Sequence, residues 1–339
     1  MPVLSYTQEM KRAKALLLAA GSFAMTMLTA QTESAPDKGR FYATIFSEFN
    51  STLEGEEQQT AFEVKRAYIG YFRKLQDGFS AEVKLDIGSP DDVSSYSLLR
   101  RFGYFKTAAL YYNLQNLRLA FGLIDALQFK VSESFWNKRY IIKSFMDEYK
   151  FGPSADIGFK AVYNLNEYSF DFAVYNGEGY SSLQNDNTFK AAMGITAKPF
   201  SGFTTRIYGD YASKNIKQST LSIFAGQKLN RFLLGAEYNH QFNKDFLENY
   251  NLYGYSVFGQ IDISNKFNIL GRYDYLTSNI LDASDVPWNL ANNGSAVITG
   301  LEYKANKQVR LSANYYTWIP EAVNSETEAS LHVNVEVKF

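Results

Sequence analysis

The sequence contains no cysteine and only two histidines in 339 residues. Without cysteine the chain can form neither disulfide bonds nor thiolate metal sites. His240 and His332 alone leave few candidates for general-base or imidazole-metal chemistry, so we expect no metal and no other cofactor. The net charge of −1 comes without a basic stripe, which argues against nucleic acid as a partner.

Long apolar runs are scarce as well, and the clearest one lies near the N-terminus. Lys11, Arg12 and Lys14 form a positive segment, residues 15–28 form an apolar segment, and small residues precede Gln31. No later run approaches the length of a membrane-spanning helix. We therefore predict that residues 1–30 are a cleaved signal peptide, with Met10 as an alternative start, and that residues 31–339 form the mature chain.

Aromatic residues, in contrast, are abundant. The chain has 25 Tyr and 27 Phe, yet its mean hydropathy is only −0.27. A soluble domain would need a very large core to bury so many rings. A transmembrane β-barrel shows this combination because polar and apolar residues alternate along its strands, and aromatic rings gather at both membrane interfaces.

Apolar and polar residues alternate with a period of two in several segments. The clearest segment runs from Leu331 to Phe339, and ending on a terminal Phe is typical of outer-membrane barrels. Similar segments begin at Phe79, Leu117, Phe232 and Val309. Helices with this spacing would scatter apolar residues around their circumference. The alternation predicts a lipid-facing set that includes Val83, Leu85, Phe121, Leu234, Leu311, Val333 and Val335.

Connections between these segments alternate between short and long. The short ones are rich in Asn, Asp and Gly, which tolerate the positive φ of tight hairpins. Seven short turns and eight long loops predict an all-β, antiparallel transmembrane barrel of about sixteen strands with both termini in the periplasm. The segments 106–112 and 218–228 are weakly marked, so fourteen or eighteen strands remain alternatives. The predicted location is the bacterial outer membrane.

The longest connection, Asp125–Pro153, is unusually apolar for a loop. It has good helix formers after Ser132, together with the aromatic residues Phe135, Trp136, Tyr140 and Phe145. We expect this loop to fold into the lumen and to form a pore constriction with Lys138, Arg139 and Lys143. The alternative is an extracellular cap that packs on its neighbours or on another subunit.

Charged residues on the polar face of the strands predict the lining of the lumen. The main candidates are Glu82, Arg118, Arg206, Glu237, Arg272 and Arg310. A selective pore would show rings of one sign, which attract counter-ions and repel co-ions. Here positive and negative residues nearly cancel. We therefore expect most of them to pair across the wall and the pore to have a weak charge preference.

Several segments resemble the phosphate-selective porin family. They are Glu63–Gly70 (EVKRAYIG), Glu82–Asp86 (EVKLD), the WNKRY stretch from Trp136 to Tyr140, and the strand that starts at Ala155-Asp156-Ile157-Gly158. The resemblance implies a sixteen-stranded porin that forms a homo-trimer and has a basic lumen. Its specific motifs cover about a third of the mature chain.

The predicted function is passive diffusion of small hydrophilic solutes or ions through a water-filled lumen, in contact with outer-membrane lipid. One alternative is a non-conducting barrel that acts as a structural or assembly partner in a larger outer-membrane complex. An enzyme would need a nucleophile and an orienting group beside a histidine. No such motif accompanies His240, so we expect the chain not to be an enzyme.

Overall fold

The computed structural model describes residues 38–55, 60–88, 102–182, 184 and 186–339. The predicted signal peptide and its cleavage site lie outside these residues. The described strands are β1 (Arg40–Glu54), β2 (Thr60–Lys74), β3 (Phe79–Gly88), β4 (Phe102–Leu114), β5 (Leu117–Asp125), β6 (Ala155–Leu165), β7 (Tyr168–Tyr175), β8 (Lys190–Ala197), β9 (Phe203–Ser213), β10 (Lys217–Leu229), β11 (Phe232–Phe242), β12 (Leu252–Asp262), β13 (Phe267–Ser278), β14 (Gly294–Lys304), β15 (Val309–Pro320) and β16 (Glu328–Lys338).

These strands form one closed antiparallel barrel. Each strand pairs with its neighbours in sequence, and β1 pairs with β16 to close the sheet. The predicted sixteen strands are therefore confirmed. The two weakly marked segments are also strands, and they lie within β4 and β10.

The short and long connections lie at opposite ends of the barrel, as the sequence predicted. Hairpins at the short-turn end contain Asp77, Asn166 and Asn230 with φ of 54°, 51° and 45°. Such residues tolerate the left-handed conformation that tight turns require. Arg40 and Phe339 lie at the same end, which is the periplasmic end of an outer-membrane barrel.

The outer face of the barrel is apolar. Phe121 and Leu234 are 67% and 62% exposed, and Val83 and Val333 are each 46% exposed. Aromatic pairs such as Phe79–Tyr112 lie near the periplasmic end, with ring centroids 4.7 Å apart. Lipid stabilises this arrangement, because an apolar band flanked by rings matches the hydrocarbon core and its two interfaces. Among the described residues, no helix is long and apolar enough to cross a membrane.

Two β-bulges near the lumen loop interrupt the regular alternation of the described strands, and a third register shift lies between β1 and β16 at Thr52/Glu54. The register between β1 and β2 shifts at Phe46/Ser47, and the register between β3 and β4 shifts at Lys84/Leu85. A bulge adds one residue to one strand and changes which side chains face inward. Lys65 and Lys106 occupy the two extra positions, and Lys106 is only 3% exposed.

The longest described connection, residues 126–154 between β5 and β6, lies inside the barrel. We call it the lumen loop. It contains helix α1 (Lys130–Trp136) and the single helical turn α2 (Phe145–Glu148). The Asn137 N–H donates to the Glu133 carbonyl and ends α1 in a left-handed conformation. Short 3₁₀ turns occur in other loops at Lys244–Phe246 and Leu290–Asn292.

Candidate functional site

One side of the lumen loop packs against the inner wall of β10–β14. The Trp136 ring lies 5.1 Å from Phe258, and the Phe135 ring lies 5.3 Å from Phe224. Trp136 and Phe145 are 1% and 0% exposed. Burying each aromatic side chain stabilises the docked loop by roughly 1.5–3 kcal/mol. The aromatic residues of the loop that the sequence analysis singled out therefore fill part of the lumen and do not cover its mouth.

A buried ion pair fixes the middle of the lumen loop. Lys138 Nζ lies 2.8 Å from Glu302 Oε2 on β14, and the Tyr140 hydroxyl donates to the other Glu302 oxygen at 2.9 Å. Glu302 is fully buried and Lys138 is 2% exposed. Lys138 was predicted to line the constriction, but the structure uses it to attach the loop to the wall.

Three predicted lumen-facing arginines attach the loop in a second way. Each pairs with a carboxylate of the wall and also donates a hydrogen bond to a backbone carbonyl of the loop. The sets are Arg206 with Asp171 and Leu127, Arg272 with Asp274 and Lys143, and Arg310 with Glu336 and Asn137. Charge-assisted hydrogen bonds of this kind are stronger than neutral ones. These arginines therefore hold the loop in place.

Arg139 lies on the opposite side of the loop and forms ion pairs with Glu133 and Asp147, both within the loop. Burial favours the neutral guanidinium, but the surrounding oxygens outweigh it and hold the pKa of Arg139 well above its ordinary value. Burial alone would raise the pKa of Asp147, but the ion pair with Arg139 lowers it. Lys143 is half-buried, with no carboxylate of the described residues within 4.0 Å.

Two cavities with many charged lining residues lie between the loop and the wall of β14–β16 and β1–β4. The outer cavity has a volume of about 400 Å³ and is lined by Glu63, Lys143 and His332, among others. The inner cavity has a volume of about 210 Å³ and is lined by residues that include Tyr42, Lys84 and Lys106. Arg139 lines both. The loop therefore divides the lumen into a packed side and an open side, and Arg139 lies between the two open cavities.

Most charges around the open side are paired. Lys65 lies 2.9 Å from Glu48, Arg66 lies 3.2 Å from Asp86, and Lys84 lies 3.8 Å from Asp125. Lys106 differs, because its Nζ contacts the Ser154 hydroxyl and lies 3.9 Å from the ring centroid of Tyr180. Tyr180 belongs to the connection between β7 and β8 and donates to Asp86 at 3.1 Å. A second external loop thus reaches into the lumen.

The other predicted lumen-facing residues lie on the inner face in different surroundings. Glu82 accepts hydrogen bonds from Tyr42 and Tyr111, and the exposed Arg118 guanidinium lies 4.4 Å from the Tyr111 ring. Glu237 is only 4% exposed and lies behind the lumen loop, where Asn239 donates to it at 3.1 Å. It is therefore part of the packed side, and it does not line the open passage.

Several residues of the open side were missed in the sequence. Lys65, Arg66 and Lys106 lie at or beside the two bulges, where strict alternation assigns the wrong face. Tyr180 follows the loop segment Gly177-Glu178-Gly179, which has no pattern that indicates an inward direction. His332 was not missed, because the regular alternation of β16 already places it on the polar face opposite Leu331 and Val333.

His240 faces outward. Its ring stacks on Phe242 at 4.0 Å, and the Tyr238 hydroxyl lies 3.2 Å from its Nδ1. It belongs to an aromatic group near the extracellular end of β11, so it cannot serve chemistry in the lumen. In the part of the chain that the structure describes, no three His, Asp or Glu residues are grouped as a metal site.

The chain matches no protein-family model and no curated protein sequence. Its fold is shared with solved outer-membrane barrels. Salmonella typhi OmpF in complex with daunomycin matches with a TM-score of 0.68 and 12% identity, over 91% of this chain and 100% of that chain. Pseudomonas putida OprB, in a high-pH structure, matches with a TM-score of 0.66 and 10% identity, over 89% and 94%.

An in-vitro-folded trimer form of Vibrio cholerae OmpT matches with a TM-score of 0.60 and 13% identity, over 89% of this chain and 99% of that chain. At such identities the likeness concerns the fold and does not single out the phosphate-selective porins. The apolar outer band, the closed sheet and these neighbours agree on one conclusion. The chain forms a sixteen-stranded barrel of the bacterial outer membrane.

Proposed function

We propose that this barrel is a porin through which small hydrophilic solutes and ions diffuse passively. The observation that carries the proposal is the one-sided packing of the lumen loop, which leaves two cavities with many charged lining residues on either side of Arg139. A loop that filled the barrel from wall to wall would leave no such space. A polar, charged lining is what a hydrated solute needs, because it replaces part of the solute's hydration.

The charge preference of this passage is weak. Arg139, Lys65 and Arg66 each lie beside a carboxylate, so their fields largely cancel at the distance of a passing ion. The basic lumen that the resemblance to phosphate-selective porins implies is present only in part, at Lys106 and Lys143 along this passage and at the periplasmic mouth. We keep membership in that family as a proposal.

A homo-trimer is proposed on the resemblance to trimeric porins, and the fold shared with the OmpT trimer form supports it. Native mass spectrometry of detergent-extracted protein should show three copies of the chain. A monomer under these conditions would contradict this part of the proposal.

The alternative is a non-conducting barrel that serves as a structural partner, and the extensive packing behind the loop favours it. Refolded protein in a planar bilayer separates the two functions. A porin should give discrete conductance steps in KCl, whereas a sealed barrel should give none.

Arg139→Ala then tests where the passage lies. It should raise the conductance and shift the reversal potential under a salt gradient toward cation preference, because Glu133 and Asp147 lose their partner. Arg73→Ala is the control, since Arg73 is exposed on the outer face beside Ala81 of β3. If both variants behave like the wild-type protein, the passage does not run past Arg139.

A further inference from the structure

The periplasmic mouth of the barrel is lined by cations without carboxylate partners. Arg40, Lys74, Arg118 and Lys228 are exposed and lie at the periplasmic ends of β1, β2, β5 and β10. No carboxylate of the described residues lies within 4.0 Å of their charged nitrogens. Unlike the paired charges deeper in the lumen, these four charges are not neutralised locally.

Register and contacts place the four side chains on the inner face. Arg40 shares a face with Tyr42, which donates to the lumenal Glu82. Lys74 lies opposite Ser80, and Ser80 lies opposite the inward-facing Tyr111. Lys228 lines a periplasmic cavity of about 220 Å³ together with the buried Lys138. The four charges therefore surround the opening and do not face lipid.

The turns at the periplasmic end also carry more positive than negative charge. Lys198, Arg231, Lys266 and Lys307 are exposed there, against the exposed acids Asp77 and Glu167. The whole chain has a net charge of only −1, so an excess of positive charge at one end requires an excess of negative charge elsewhere.

The extracellular half carries that negative excess. Glu63 and Glu148 line the outer cavity, and Glu328 shares the inner face of β16 with Ser330, which also lines it. No basic group of the described residues lies within 4.0 Å of their carboxylates. Exposed Asp282, Asp285 and Glu326 lie on loops at this end, which also carries the cations Lys143, Lys150 and Lys217.

We infer that this barrel rectifies ion current, because its two mouths carry fixed charges of opposite sign. The inference rests on the proposed function. A ring of fixed charge concentrates counter-ions and excludes co-ions. When the extracellular side is positive, cations enter through the acidic mouth and anions through the basic mouth, so both accumulate in the lumen and conductance rises. The opposite voltage draws both ions out of the lumen and lowers the conductance.

The effect should depend on salt. In about 0.1 M KCl the Debye length is about 10 Å, so the fixed charges act across a narrow mouth, and in about 1 M KCl it is about 3 Å. Currents at equal voltages of opposite sign should differ by about twofold or more at the lower concentration, with the larger current when the extracellular side is positive. The ratio should approach one at the higher concentration.

The test is a current–voltage curve of single channels with known orientation. The chain has no cysteine, so Ser325→Cys on the exposed loop before β16 gives a unique thiol, and an impermeant thiol reagent added to one chamber reports the orientation. The fourfold variant Arg40→Gln, Lys74→Gln, Arg118→Gln and Lys228→Gln should remove most of the asymmetry. If it fails to fold, the double variant Lys74→Gln and Lys228→Gln should reduce it.

The control is Arg73→Gln. Arg73 is next to Lys74 on β2 but lies on the outer face, so its removal should leave the current asymmetry unchanged. A conducting channel with symmetric currents at low salt would overturn the inference and leave the proposed function intact. So would an asymmetry that survives removal of the mouth cations. A complete lack of conductance would overturn the proposed function, and the inference with it.

Discussion

At the residue scale, orientation decides what a charge can do in this barrel. Val333 and His332 are neighbours on β16, yet Val333 faces lipid and His332 lines the outer cavity next to Glu48. A charge costs about 2–4 kcal/mol at the bilayer midplane. Val333→Arg should therefore reduce the free energy of folding into bilayers by about that amount, whereas His332→Arg should cost little because it faces water and a carboxylate. Urea titration in lipid vesicles measures both, and equal losses would show that the assigned register of β16 is wrong.

Also at the residue scale, Glu302 forms an ion pair with Lys138 and accepts a hydrogen bond from Tyr140. Glu302→Gln leaves the Lys138 ammonium buried without a counter-charge, and breaking a buried pair in this way costs about 3–5 kcal/mol. Lys138→Met in the same chain should recover part of that loss, because no charge then remains buried. The free energy of unfolding of the single and double variants checks this. A double variant no more stable than Glu302→Gln alone would contradict the role given to the pair.

The sequence predicted the orientation of most inner residues, because the side-chain period of a strand is fixed at two. It failed at Lys65, Arg66 and Lys106, since a bulge shifts that period without leaving a clear mark in the sequence. The sequence also could not show that the adjacent residues Lys138 and Arg139 lie on opposite sides of the loop, with Lys138 against the wall and Arg139 beside the cavities. Their partners, Glu302 and the pair Glu133 and Asp147, depend on how the loop meets the wall.

At the scale of elements, apolar packing and ion pairs together hold one side of the lumen loop against the wall, and the other side faces the open cavities. Its aromatic residues were sufficient to predict that it leaves bulk water. The site of docking was not predictable, because Arg206, Arg272 and Arg310 lie on three separate strands that only the closed barrel brings together.

The ion pair of Asp147 with Arg139 gives the loop a defined response to acid. The pKa of Asp147 is lowered from its ordinary 3.8, so the pair stabilises the loop at pH values above 3.8 and is lost only as the pH falls below that value. This pair should therefore hold the loop without change from neutral pH down to about pH 4. Asp147→Asn removes the pair at every pH and should give noisier, larger currents already at neutral pH. A change in wild-type conductance that tracks a midpoint near pH 6 would assign the response to another group.

At the scale of the whole molecule, the strand count followed from turn chemistry. Short turns rich in Asn, Asp and Gly alternate with long loops, and this pattern survives even where single strands such as β4 and β10 are weakly marked. The separation of charge between the two mouths was not apparent in the sequence, because residues such as Arg40, Arg118 and Lys228 meet only when the sheet closes. The lumen loop closes one side of the barrel and leaves a passage on the other.

The most direct test compares the single-channel conductance of the wild-type barrel with that of a variant in which residues 128–152 are replaced by a short Gly/Ser linker. The variant removes the packed side together with the constriction and keeps all sixteen strands. We predict that the wild-type protein conducts and that the variant conducts severalfold more, with less dependence on the sign of the permeating ion. Equal conductance in the two proteins would show that the lumen loop does not form the constriction and would contradict the account.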